Sequence, residues 1–162
     1  MKIAIEDYDP HWQELFEREA SRIRSALGPR AMRIEHTGST AVPGLAAKPV
    51  IDLLLVVVHS ADEEAYLPAL ENAGYVVGIR EPDWHQHRML KGPEADINLH
   101  VFSSGCPEIE RILALRDRLR TDPADRDLYE STKRDLAKRE WACVDDYALA
   151  KSAVIEEIIA RA

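Results

Sequence analysis

The spacing of apolar residues predicts a chain that opens with an amphipathic helix, continues through mixed strands and helices, and ends in helices alone. Over His11–Leu27, the side chains of Trp12, Leu15, Phe16, Ile23 and Leu27 fall on one stripe, and Gly28-Pro29 stops the helix. Met32–His36 reads as a short strand running into the turn residues Thr37-Gly38-Ser39-Thr40, followed by a loop with Pro43, Gly44 and Pro49. Val50–Val58 is the strongest strand; its nearly unbroken apolar, β-branched character predicts burial on both faces inside a sheet. Ala61–Ala73 reads as a helix capped by Gly74, and Tyr75–Ile79, His87–Lys91 and Asp96–Phe102 as further strands. From Pro107 onward the pattern predicts the helices Glu108–Leu119, Pro123–Trp141 and Asp145–Ala160. Pro123 falls in a first turn, where its missing N–H is no loss. The order predicts one α+β domain over residues 1–162, with an α/β core to about residue 106 and a C-terminal helical cap from about residue 107.

Composition narrows the function. The 162 residues are 46% apolar and 31% charged, which argues against a disordered tail, a fibre or a disulfide-stapled miniprotein. A net charge of −8 argues against general binding to a nucleic acid backbone, so an anionic ligand needs a local basic cluster. Residues 109–139, with nine basic and seven acidic side chains, are the net-positive stretch. The plainer reading of that stretch is a solvated helix surface laced with i,i+4 pairs. Cys106 and Cys143 are too few for a disulfide framework or a cysteine metal site, as befits a reducing cytosol. The start lacks a signal peptide's apolar region, and the run Leu53–Val58 falls far short of the roughly 20 residues of a membrane span. The expected location is the cytoplasm.

The candidate chemistry lies in the segment from Ile34 to Leu53. A Gly-Ser turn directly after a strand exposes backbone N–H groups and a hydroxyl, and a helix starting there would help it cradle phosphate. Asp52 sits inside the apolar strand, where a carboxylate is costly unless it is paired or holds a metal. A structural alternative satisfies it with Lys48 or backbone N–H groups. Gly44 to Lys48 lacks the residues of a Walker loop. His36 is placed to bond a phosphate or Asp52, or simply to pin the turn. His85 and His87 would share a face if both were on a strand, and with His100 would make a transition-metal site; the alternative is polar surface residues. Trp12, Trp84 and Trp141 read as core or rim packing, not as a base-stacking strip.

The segment His36-Thr37-Gly38-Ser39-Thr40-Ala41-Val42-Pro43-Gly44-Leu45-Ala46-Ala47-Lys48-Pro49-Val50-Ile51-Asp52 closely resembles the hallmark of the GrpB family, also known as UPF0157. Leu99–Phe102, Leu115–Arg120, Tyr129–Lys133 and Asp146–Lys151 match the family in the same order, so the resemblance spans nearly the whole chain. It implies a polymerase-β-type nucleotidyltransferase-like mixed sheet flanked by helices. In that superfamily an acid-x-acid pair and a third acid hold two divalent metals, Mg²⁺ or Mn²⁺, that orient a nucleoside triphosphate for in-line transfer.

This chain departs from the pattern, because the partner position of Asp52 is Leu54, which cannot bind a metal. Asp96, Asn98 and His100 alternate along a later strand, so Asp96 and His100 would complete a single-metal site with Asp52. The resemblance also points Arg116, Arg120, Lys133 and Lys151 toward a shared cleft suited to a triphosphate. Salt bridges to Asp117, Glu130 and Asp146 are the structural alternative. The resulting expectation is a metal-dependent nucleotidyltransferase-like protein with catalytic Asp52, Ser39 and Lys48. His36, Gly38, Ser39, Thr40, Arg116, Arg120, Lys133 and Lys151 would hold the nucleotide, and Asp52, Asp96 and His100 the metal. The acceptor is expected to be a small molecule. Leu54 supports a rival, a nucleotide- or phosphate-binding module without transferase activity, and a third reading makes the chain a structural partner domain.

Overall fold

The computed structural model describes residues 4–94, 96–138 and 144–162, with the side chains of 144–150 left outside that description. Trp141 and Cys143 lie outside the described residues. Helix α1 covers His11–Leu27 as its stripe predicts, and it buries Trp12, Phe16, Ala20, Ile23 and Leu27 together with one carboxylate, Glu19. Strands β1 (Arg33–Thr37) and β2 (Ile51–Val57) follow, joined by a loop that opens with a short 3₁₀ turn at Ser39–Ala41. The helix expected over Ala61–Ala73 is broken into a 3₁₀ turn at Glu63–Ala65 and a short helix α2 at Leu67–Asn72. Pro68 explains the break: its ring lacks an N–H and would clash with a carbonyl one turn earlier. Strands β3 (Val76–Glu81), β4 (His87–Lys91) and β5 (Ile97–Ser103) precede helices α3 (Pro107–Thr121), α4 (Pro123–Ala137) and α5 (Val144–Arg161). No helix among the described residues is long and apolar enough to cross a membrane.

The strands form one sheet in the order β1-β2-β5-β4-β3, with β2 and β5 parallel and the remaining pairs antiparallel. The α+β class and the interior position of the Val50–Val58 run are as expected. Alternation along the strands separates two faces. Leu53, Leu55, Leu99 and Val101 pack with α1 and α2 in the main core. Leu54, Val56 and Phe102 point the other way, under Ile109 and Leu113 of α3. A third cluster joins Val42 and Leu45 of the β1–β2 loop to Leu119, Tyr129 and Ile158 of the three C-terminal helices. The helical part therefore packs on the loop that carries the Gly-Ser turn.

An irregularity in β3 changes what the second face presents. Val77 pairs with Leu90, but Ile79 pairs with Met89, so the register shifts by one residue around Gly78. Such a bulge re-aims the side chains beyond it. Glu81 consequently pairs with His87 on the face that carries Asp52.

Leu54 is fully buried in its apolar cluster. Replacing it by an acid, Leu54→Asp, should lower unfolding free energy by at least about 3 kcal/mol in urea titration, since a buried unpaired carboxylate is strongly penalised. A loss below about 1 kcal/mol would show that this position tolerates an acid.

Candidate functional site

The turn after β1 lies directly on Asp52. Thr37 and Asp52 are register partners, and the Thr37 hydroxyl donates to the Asp52 carbonyl at 3.4 Å. Gly38 has φ +70°, and a β-carbon added there would stand 2.6 Å from Asp52 Oδ2. Glycine is therefore required twice, for the left-handed backbone and for the close approach.

Four expected ligand contacts turn out to hold this turn in place. The ring of His36 stacks on Phe16 at 4.8 Å, and His36 Nε2 lies 3.0 Å from Thr40 Oγ1. The Thr40 hydroxyl in turn donates to the Val50 carbonyl at 3.0 Å. Burial, with Arg120 next, pushes the His36 pKa down to about 4, so the ring is neutral. Arg120 donates to the Ala41 carbonyl at 2.9 Å, and Arg116 to the His36 carbonyl at 3.2 Å. Arg116 also pairs with Asp117 at 2.9 Å and Glu35 at 3.3 Å, so the salt-bridge alternative is realised there in part. Arg116 nevertheless reaches the cavity, whereas Arg120 does not line it.

A cavity of about 650 Å³ lies between this sheet face and the C-terminal helices. Its floor includes Gly38, Asp52, Asn98, His100, His87 and Glu81; Arg116, Tyr129 and Lys151 stand on the helical side. Ile79, Trp84, Met89 and Phe102 supply an apolar and aromatic end. The volume is in the range of small-molecule sites.

Asp52 is partnered by His100, not by Lys48. His100 Nε2 lies 3.1 Å from Asp52 Oδ1, with the two side chains 30% and 28% exposed. His100 Nδ1 lies 3.0 Å from His87 Nε2, and His87 Nδ1 lies 2.8 Å from Glu81 Oε1. The imidazoles stack at 5.3 Å between ring centres. Asp52, His100, His87 and Glu81 thus form an unbroken carboxylate–imidazole–imidazole–carboxylate chain across the floor. Its three links need three hydrogens and two neutral imidazoles carry two, so the fully bonded chain holds one further proton. Burial pushes His87 toward the neutral form, while Glu81 opposes it.

The sequence pairing of His85 with His87 does not survive. His85 lies in the β3–β4 turn with φ +56°, so the two residues do not share a strand face. Glu81 escaped sequence reasoning because regular alternation does not reveal a bulge; Gly78 inside a strand was the available signal. Tyr129, which stands out in the sequence only as part of a segment resembling the family, lines the cavity.

Two expected site residues stand apart. Lys48 does not line the cavity, and its side chain makes no hydrogen bond or ion pair with a described residue. Asp96 lies just before β5, 59% exposed and 4.0 Å from Lys91. Among the described residues, no group of three or more His, Cys, Asp or Glu side chains is placed to hold a metal. The residues do not fit a two-metal site: Leu54 is locked in an apolar cluster, and Asp52 offers one carboxylate already bonded to His100.

Ser39 faces α4, where Lys133 Nζ lies 2.7 Å from its Oγ and the Tyr129 hydroxyl 3.3 Å from it. Lys133 is 2% exposed. Burial, aided by Lys151, pushes its pKa down to about 7.

The family profile described as GrpB protein matches residues 2–161. A UPF0157 protein of Halalkalibacterium halodurans is 58% identical over 160 residues, which span 99% of this chain and 82% of that protein. The crystal structure of the conserved protein GrpB from Enterococcus faecalis aligns with a TM-score of 0.85 at 34% identity, covering 98% of this chain and 96% of that one. Cid1 poly(U) polymerase in its MgGTP-bound form aligns with a TM-score of 0.57 at 18% identity, over 84% of this chain and 45% of that chain. The last likeness is one of fold: the mixed sheet and its helices are nucleotidyltransferase-like.

Gly38→Ala should destabilise the protein by about 2 kcal/mol in chemical denaturation, from backbone strain and the clash with Asp52; an unchanged midpoint would mean that the turn can move aside. The depressed pKa of His36 also sets a pH dependence. Its contribution is complete above about pH 6.5 and is lost as pH falls toward about 4, because the unfolded chain binds the proton more readily. Between pH 7 and pH 4 the wild type should lose about 3 kcal/mol more than His36→Gln. Parallel losses in the two proteins would contradict the assignment.

Proposed function

The chain belongs to the GrpB family, and we propose that it binds a nucleoside phosphate in the cavity above the Gly38–Asp52 contact. The observation that carries this reading is the division of that cavity. Cationic Arg116 and Lys151 stand on the helical side, acceptors Asp52 and Glu81 lie on the floor, and Trp84, Met89 and Phe102 close one end. Phosphate oxygens suit the guanidinium and ammonium groups. Sugar hydroxyls and base amino groups suit the carboxylates, and a base face suits the aromatic end.

Binding without nucleotidyl transfer is the form this geometry favours, because among the described residues no second acid stands beside Asp52 to share a metal. The net charge of −8 and the acidic floor favour a small molecule over long nucleic acid as any second ligand.

The test is a thermal-shift titration with the four nucleoside triphosphates, with and without Mg²⁺ or Mn²⁺, on the wild type, Arg116→Ala, Lys151→Ala and Asp52→Asn. At about 100 times its dissociation constant a ligand adds about 2.7 kcal/mol of stability. A shift in the wild type that survives EDTA and shrinks in Arg116→Ala and Lys151→Ala is expected. No shift with any nucleotide would sink the reading. A shift that needs the metal and vanishes in Asp52→Asn would replace it with a metal-dependent nucleotidyltransferase site.

A further inference from the structure

Lys133 is a buried amine with no counter-ion among the described residues. It is 2% exposed and forms no ion pair with a described residue. Glu130, the neighbouring carboxylate on α4, is engaged elsewhere: Oε1 accepts from the Ala46 amide at 2.8 Å and Oε2 from Arg134 at 3.4 Å. The polar partners of Lys133 Nζ are Ser39 Oγ at 2.7 Å and the Ala46 carbonyl at 3.3 Å, with the Tyr129 ring 5.0 Å away. A permanent charge would be expensive there, whereas a neutral amine fits. Nζ donates to Ser39 Oγ and to the Ala46 carbonyl, and the Ser39 hydroxyl donates to the Tyr129 hydroxyl; loss of one Nζ proton leaves a lone pair 2.7 Å from Ser39 Oγ. That is the arrangement of a serine with a lysine base. Ser39 is itself partly exposed, beside exposed Gly38 on the cavity floor.

We propose that Ser39 and Lys133 form a nucleophile–base pair that reacts with an activated phosphorus centre. Ser39 Oγ attacks phosphorus and forms an O–P bond. The Ser39 proton passes to the Lys133 amine, which becomes an ammonium. The bond from phosphorus to the leaving group breaks, and that group departs with the electron pair. Only the choice of a phosphorus electrophile rests on the nucleoside-phosphate reading.

A fluorophosphonate carries no nucleotide and therefore tests the pair separately from nucleotide binding. Its reaction would release fluoride and leave a phosphonyl group on Ser39, located by peptide mass spectrometry. Labelling at Ser39 is expected, with a rate rising through about pH 7 as Lys133 loses its proton against the fields of Lys151, Arg134, Glu130 and Asp52. Lys133→Met, which keeps the buried stem, should remain folded by circular dichroism and label at least about 100-fold more slowly. Ser39→Ala should take no label at this site. Absence of a Ser39 adduct in the wild type, or equal rates in folded Lys133→Met, would overturn the proposal. A Ser39 adduct in a protein that shows no nucleotide shift would retain the pair and remove the nucleoside phosphate.

Discussion

The contact of the Gly38 backbone with the Asp52 carboxylate is the constraint around which this molecule is arranged. A β-carbon at Gly38 would stand 2.6 Å from Asp52 Oδ2, so the turn after β1 and the second residue of β2 share one small volume. Holding a turn that closely takes anchors on every side. His36 and Thr40 tie it to the sheet, Arg116 and Arg120 hold its carbonyls from α3, and Lys133 reaches it from α4. The C-terminal helices are thereby fastened to the site by polar bonds as well as by the apolar cluster of Val42, Leu45, Leu119, Tyr129 and Ile158.

Those anchors explain a division of labour among the basic residues. His36 bonds Thr40 and Arg120 donates from Nε to the Ala41 carbonyl, and burial lowers the pKa of both. Arg116 is shared between the turn and the cavity, and Lys151 lines the cavity. A row of cations that looks uniform in sequence is thus split into those that build the turn and those that face the open space.

The floor of the cavity is built around a single carboxylate of β2. Leu54 belongs to the apolar cluster beneath α3, and Asp52, the one acid of β2, is bonded to an imidazole. The Asp52–His100–His87–Glu81 chain satisfies every link without a metal, provided that one extra proton is shared along it. Beside it, the Ser39–Lys133 contact is a second polar centre.

Local pattern was enough to read α1, β2, β4 and the helical C-terminal third, because each has a clear apolar period or a breaker at its end. It also singled out Asp52, since a carboxylate in an apolar strand demands a partner. What that partner is could not be read locally. Lys48, near in sequence, does not line the cavity, while His100, distant in sequence, arrives because β5 lies parallel to β2. The bulge at Gly78 brought Glu81 to His87, and the packing of α4 on the β1–β2 loop brought Lys133 to Ser39. The sequence by itself determined which elements form and which residue was out of place. Strand order, register and helix docking decided which charges meet, because those contacts join residues dozens of positions apart, whose proximity no local period encodes.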